Sequence, residues 1–256
     1  MTPEELLATF HREIRLGHRE DEPAPGIIQD SDGPVLRRYP QVPGASYAMV
    51  ESPAGLGEDP DGVIARTAAF FTARNESVEW KTYGYDEPAD LPERLSRAGF
   101  VGQDVEVLML GESAVLVDEV ALPDGVVIRE LRADDVRDFE RIAELMTLVW
   151  GRPDTISEAL RQELAADPAR HAVFVAEESP DGQVLCAAWL QLTVGTDFAS
   201  LWGGSTHPQW RRRGLYRALV AARAQVALER GYRFMRVDTS PDSRPILTRL
   251  GLHQVA

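Results

Sequence analysis

Between Phe198 and Val226 the spacing of apolar residues changes period within one short loop. The stretch "FASLWGGST" alternates as a strand does. "HPQWRRRG" then supplies a proline, three arginines and a glycine, after which Leu215, Ala218, Leu219, Ala222 and Val226 recur at helical spacing. Strand, tight loop and helix in this order make half of an α/β unit: the helix packs back on the sheet and the loop stays at the strand's C-terminal end. All-α and all-β folds are excluded.

The flanking sequence extends the pattern. "VVIREL" reads as a strand, followed by a helix from Ala133 to Trp150 and a second across "DTISEALRQELAA". "HAVFVAEES" and "VLCAAWLQLTV" alternate and are joined by "PDG", a hairpin signal. After the arginine loop and its helix, Gly231 stops the helix, "YRFMRVD" is a strand, "SRPILTRL" a short helix, and Gly251 its cap. The first half reads as a helix over residues 3–18, strands near 35–39 and 46–51, and a helix over 61–74. The strand "SVEWKTYGY", a short helix across "DLPERLSRA" and the strand "FVGQDVEVLML" complete it. Proline, glycine and acidic residues cluster at "GHREDEPAPG", "ESPAGLGEDPDG" and "ALPDG". The last, Ala121 to Gly125, sets the expected boundary, giving domains of residues 1–123 and 124–256.

A repeat crosses that boundary. Setting Asp86 on Asp238 also aligns Asp90 with Asp242, Leu95 with Leu247, Arg97 with Arg249 and Gly99 with Gly251, all 152 residues apart. Charge separates the halves: the formal net charge of −14 resides in residues 1–125, while residues 126–256 are neutral. Within the latter, residues 207–256 hold ten arginines against Glu229, Asp238 and Asp242, a local +7. An acidic chain that gathers its positive charge in one segment has either a solvated basic face or an anion site there. The overall charge and the lack of interleaved aromatics argue against nucleic acid. No apolar run approaches the ~20 residues of a membrane span. One cysteine, Cys186, leaves no disulfide framework and no multi-cysteine zinc site, and no metal is expected. Cytoplasm is the expected compartment, with the chain a monomer or homodimer.

The arginine loop has the chemistry of a diphosphate site. A helix start offers unpaired N–H groups and partial positive charge. A glycine at the turn lets backbone amides close on an anion, and arginines add forked donors. It is neither a Walker loop nor a dinucleotide fingerprint.

In order and content, Val126 to Gly251 resembles the GCN5-related N-acetyltransferase (GNAT) family. That family's loop reads [QR]-x-x-G-x-[GA], usually after V-x-P; here it is Thr206-His207-Pro208, then Arg211-Arg212-Arg213-Gly214-Leu215-Tyr216. The resemblance implies two acetyltransferase-like α/β domains, each a mixed, largely antiparallel sheet flanked by helices, the first a degenerate copy without the loop. It implies acetyl-CoA as co-substrate, its pyrophosphate on the amides of Arg211 through Tyr216. Main-chain groups of Gly204, Ser205 and Thr206, where the family's fourth strand splays from its fifth, would pair with the pantetheine arm and hold the thioester oxygen. The implied reaction is direct acetyl transfer to an amine of a small molecule or peptide in a ternary complex; the alternative is a non-catalytic acyl-CoA-binding or regulatory module. A third reading has the acidic first half docking a basic partner.

The residues also depart from the pattern. Tyr216 stands where a small residue is usual, so its side chain is expected to point outward. Many relatives carry a tyrosine acid three residues before the "LG" pair and an asparagine at the helix start; here these are Leu247 and Ser240. Ser240 or Ser243 would donate the proton, or simply cap the helix. The third strand lacks the usual glutamate base, leaving Asp238, at a strand's C-terminal end, as the best-placed candidate ahead of Asp197, read in a turn, and His207, read as a surface loop residue. Cys186 reads as core, Met146 and Trp150 as buried with Leu145 and Val149, and Tyr83 and Tyr85 as packing residues. Trp189 and Trp202 line an acceptor cleft or pack in the core. The last strand of the family is expected to be short here, its edge exposed or covered by a neighbour.

Overall fold

The computed structural model describes residues 1–17, 26–179 and 182–256. The chain forms two compact units: Ala8–Val105, and Met1–Leu7 together with Glu106–Val255. The linker read at "GHREDEPAPG" and the first two residues of the "PDG" turn lie largely outside the described residues.

The first unit holds a four-stranded sheet in the order β1-β2-β3-β4, made of β1 (Ile27–Asp32), β2 (Val35–Pro40), β3 (Ala48–Glu51) and β4 (Val78–Trp80). The first three strands pair antiparallel, and β3 pairs parallel with β4 through helix α2 (Pro60–Ala73). The strand β1 went unread because its apolar content is two isoleucines before a polar run. The "SVEWKTYGY" strand is only three residues long, and α3 (Leu91–Arg97) follows. Val35, Tyr39, Val50, Ile64, Phe71, Trp80 and Leu95 form the core. Helix α1 (Pro3–Phe10) continues into a π-helical turn, His11–Leu16. From that turn the buried Arg15 binds both oxygens of Asp86, reaches Glu51 at 3.2 Å, and lies 4.3 Å from the centre of the Tyr83 ring.

The second unit holds seven strands in the order β11-β5-β10-β9-β8-β7-β6. In chain order they are β5 (Val107–Glu112), β6 (Val127–Glu130), β7 (His171–Glu177), β8 (Val184–Leu192), β9 (Phe198–Thr206), β10 (Phe234–Thr239) and β11 (His253–Gln254). All neighbours are antiparallel except β9 and β10, which are parallel and joined by α7 (Leu215–Glu229). Every residue of β7 is buried, as expected of a strand covered on both faces. On one face pack α5 (Val136–Trp150) and α6 (Ser157–Ala166), through Phe139, Ile142, Leu145 and Leu160. On the other lie α4 (Ser113–Leu116), α7 and α8 (Arg244–Arg249), through Leu116, Leu219 and Leu247. A buried Asp138 on α5 takes hydrogen bonds from Arg129 (2.6 and 2.8 Å) and Arg141 (2.7 Å), and both arginines also bind Glu177, which fastens α5 to β6 and β7.

The units part at Val105–Glu106 and not at Ala121–Gly125, because the strand read as the last of the first domain belongs to the second sheet. Residues 107–112 pair antiparallel with β10 along six positions, and the two-residue β11 pairs with their other edge. The "ALPDG" cluster is the link between α4 and β6.

Candidate functional site

Strands β9 and β10 pair only from Phe198 to Ser200 against Phe234 to Arg236, then diverge while β9 runs on to Thr206 and β10 to Thr239. Two parallel strands that separate leave backbone donors and acceptors facing one another across a cleft. Ser200, Leu201 and Trp202 line it on one side, Arg236, Val237 and Asp238 on the other. Across its base, Arg236 Nε donates to Ser200 Oγ at 2.6 Å.

Beside the cleft, β9 bulges. Ala187 faces Ser205 and Trp189 faces Trp202, so Gly203 and Gly204 oppose one residue of β8. Both have positive φ, 82° and 30°. A Cβ on Gly203 would lie 2.1 Å from the Trp189 ring, and one on Gly204 2.7 Å from the Tyr216 ring. Only glycine fits either position.

Beneath the bulge lies Arg223, wholly buried on α7. Its Nε donates to the Leu219 carbonyl at 2.9 Å, and its Nη1 to the carbonyls of Trp189 and Trp202, both at 3.1 Å. Nη2 has no acceptor among the described residues. Burial pulls its pKa down to about 10, a shift opposed by Tyr216 and Cys186 nearby. This group was missed in the sequence, although Leu215, Leu219 and Arg223 share one helical stripe, and an arginine in an apolar stripe is the available signal.

The loop after β9 behaves as the spacing anticipates. A 3₁₀ turn, Pro208–Trp210, is followed by Arg212 at φ 63° and Gly214 at φ 86°, the N-cap of α7. A left-handed residue followed by the first right-handed one turns successive N–H groups to one side, the concavity that takes anions. No side chain caps this helix, so its first-turn amides keep no partner within it. Arg211, Arg212 and Arg213 are exposed, and no carboxylate among the described residues pairs with them. Arg211 Nε reaches the Thr206 carbonyl at 3.4 Å and Arg213 stacks 4.5 Å from the Trp210 ring centre. Val120 and Ala121 lie alongside Gly214, and Asp118 pairs with Arg217 at 3.1 Å.

Several residues sit differently from expectation. Tyr216 does not point outward. Its ring turns in over Gly204, and its hydroxyl meets Ser243, because the missing Cβ at Gly204 leaves a space an aromatic ring fills; burial raises its pKa. Ser243 holds the N-cap position of α8 without capping it, and its Oγ lies 3.3 Å from that of the exposed Ser240. Leu247 is core, as is Leu215. His207 is buried rather than on the surface, its Nδ1 accepting from the Gln209 amide. Asp197 is in a turn as read, but at the closed end of β9, where it pairs with Arg233 at 3.1 Å. Trp150 is 56 % exposed, unlike Leu145 and Met146, and its Nε1 donates to Ser205 Oγ at 3.0 Å. Thr206 Oγ1 lies 3.1 Å from Sγ of the buried Cys186, whose thiol burial pushes up to about 11. Trp189 packs with the α5–α6 cluster, while Trp202 is 45 % exposed at the cleft. Asp238 lies near the C-terminal end of β10, in the lining of the cleft.

The first unit has no such anion site at α2, the helix that bridges its own parallel strands. The Asp59 side chain caps that helix by accepting from the Gly62 amide, and Asp61 adds charge to its first turn. Among the described residues no cluster of three or more metal-ligating side chains occurs, and no helix is long and apolar enough to cross a membrane.

Residues 131–251, just under half of the chain, match the model of the acetyltransferase (GNAT) family. Among solved structures, a GCN5-related N-acetyltransferase from Kribbella flavida superposes with a TM-score of 0.66 at 17% identity, over 90% of this chain and 87% of its own. A GCN5-related N-acetyltransferase from Sphaerobacter thermophilus gives 0.63 at 15% identity, over 99% and 90%. A tandem GNAT protein from the clavulanic acid biosynthesis pathway gives 0.62 at 14% identity, over 98% and 92%. At these identities the likeness is one of fold: two acetyltransferase-like α/β domains, each with a mixed sheet flanked by helices. No curated protein is similar enough to count as a match.

Proposed function

We propose that the second domain transfers an acetyl group from acetyl-CoA to the amine of a small molecule or peptide. The observation that carries this reading is the conjunction at one end of the sheet: a helix start without a side-chain cap, and three exposed arginines that pair with no carboxylate among the described residues, beside a cleft between two parallel strands. The diphosphate binds the Gly214 helix start and the arginines. The pantetheine arm enters the cleft along Gly204, Ser205 and Thr206, and Tyr216 swings off Gly204 to admit it. Asp238 takes a proton from the incoming ammonium, directly or through water, and the free amine attacks the thioester carbon. The carbonyl pair moves onto oxygen, is held by bulge amides, and returns as the carbon–sulfur bond breaks. The departing thiolate takes a proton relayed from water or Ser240, and the nitrogen yields its second proton to solvent. Leu247 has no part in that transfer.

The first domain is read as a copy of the same fold without the anion site. In support, α3 and α8 end alike: Phe100 and Leu252 each donate to the carbonyl five residues back, around glycines 152 residues apart. A second reading, a non-catalytic acyl-CoA-binding module, is favoured by the ring over Gly204 and by the buried Leu247. Incubation with acetyl-CoA and a panel of mixed amines, following free thiol, separates them: release above background supports transfer, and binding without release supports the module.

A further inference from the structure

The two residues of the bulge that the acetyl-transfer reading places against the thioester bring no side chains to hold it. Gly203 and Gly204 have none, and the Trp189 and Tyr216 rings leave no space for any. A bulge also breaks ladder bonds, and the carbonyls around it become acceptors in need of donors; Ser205 Oγ serves that of Gly203 at 3.0 Å, and those of Trp189 and Trp202 need others. Arg223 supplies them: Nη1 bridges the carbonyls of Trp189 and Trp202, one on each strand of the bulged pair, while Nε anchors the group to its own helix. An apolar residue at this point of the α7 stripe would pack without the desolvation cost of a buried cation that has no carboxylate partner among the described residues. The Trp202 carbonyl belongs to the same peptide unit as the Gly203 N–H. A cation on the oxygen draws electron density from that N–H and makes it a stronger donor.

We propose that Arg223 is a positioning residue for acyl transfer: by gripping the carbonyls of Trp189 and Trp202 from beneath the sheet, it fixes and polarises the amides of the Gly203–Gly204 bulge that face the thioester oxygen. The inference rests on the acetyl-transfer reading but concerns a residue that touches neither substrate. The ionisable groups near it are Tyr216 and Cys186.

The test needs no knowledge of the acceptor. Acetyl-CoA labelled with ¹³C at the acetyl carbonyl is bound to the full-length protein without amine, and the carbonyl stretch is read by difference infrared spectroscopy. CoA affinity is measured by calorimetry on the same samples. The stretch is expected at lower frequency in the wild type than in free acetyl-CoA. R223M should lose at least about half of that displacement while CoA affinity changes by less than about threefold. R223K, which keeps a cation but not the fork, should fall between. A full wild-type displacement in folded R223M overturns the proposal. If R223M does not fold, R223K decides: a reduced displacement supports the role and an unchanged one overturns it. Failure of the wild type to bind acetyl-CoA would instead remove the acetyl-transfer reading, and this inference with it. Binding with normal displacement in the variants removes the inference alone.

Discussion

Replacing Gly203 by alanine perturbs the candidate site without touching a charge. The magnitude follows from two independent terms. At φ 82° a side chain enters the left-handed region, at a cost of about 1–2 kcal/mol. The new Cβ would stand 2.1 and 2.3 Å from two atoms of the Trp189 ring, and forcing extra volume into a packed position costs about 1–3 kcal/mol. Gly203→Ala should therefore destabilise the second domain by about 2–5 kcal/mol. Urea unfolding followed by tryptophan emission is a suitable assay, since Trp150, Trp189, Trp202 and Trp210 all belong to that domain and only Trp80 to the first. The steric term is separable. In the Trp189→Ala background the clash is gone and only the backbone term remains, so the two substitutions should couple by about 1–3 kcal/mol. A Gly203→Ala variant within about 0.5 kcal/mol of wild type, or single effects that simply add, would refute the bulge as described.

Other outcomes follow from the same geometry. Asp138→Asn leaves Arg129 and Arg141 around a buried amide and should cost about 3–5 kcal/mol in the same unfolding assay. Burial opposes ionisation of Asp138, but its hydrogen bonds with Arg129 and Asp135 and the charges of Arg129 and Arg141 outweigh it, so its folded pKa lies below the ordinary aspartate value. Its contribution is thus fully present above about pH 4 and lost as the pH falls through the folded pKa, and a wild-type acid transition steeper than that of Asp138→Asn would show it. Cys186, its thiol pushed up to about 11 by burial, should resist alkylation at pH 8 in the native protein and react fully in denaturant; rapid native labelling would contradict its placement. Exchanging Arg211, Arg212 and Arg213 together for glutamine should weaken CoA binding by at least about tenfold and flatten its salt dependence. Tyr216→Ala, which clears the ring from Gly204, should tighten CoA binding, because a site competent only part of the time binds with affinity reduced by that fraction; unchanged or weaker binding would contradict the swing.

What the sequence disclosed depended on how local the determinant was. The strand, the arginine loop and the helix from Gly214 were legible because periodicity, a left-handed glycine and clustered charge lie within thirty residues. The fate of Val107–Glu112 was not: alternation identifies a strand, but nothing in "VEVLML" says that its partners are Phe234–Thr239, more than a hundred residues away. Tyr216 was placed correctly on the helix and wrongly in direction, because a helical position does not fix what fills a space over a distant glycine. Arg223 hid in the stripe that identified the helix. The contacts it makes are to carbonyls beside a bulge, and a bulge is a relation between two strands.

Calorimetric titration of the protein with CoA, and in parallel with pantetheine, addresses the diphosphate grip most directly. Saturable CoA binding at micromolar concentration, weakened by salt, with pantetheine failing to bind, is the predicted result. No heat with CoA at millimolar concentration, or pantetheine binding as tightly as CoA, would contradict the assignment of the Gly214 helix start as the diphosphate site.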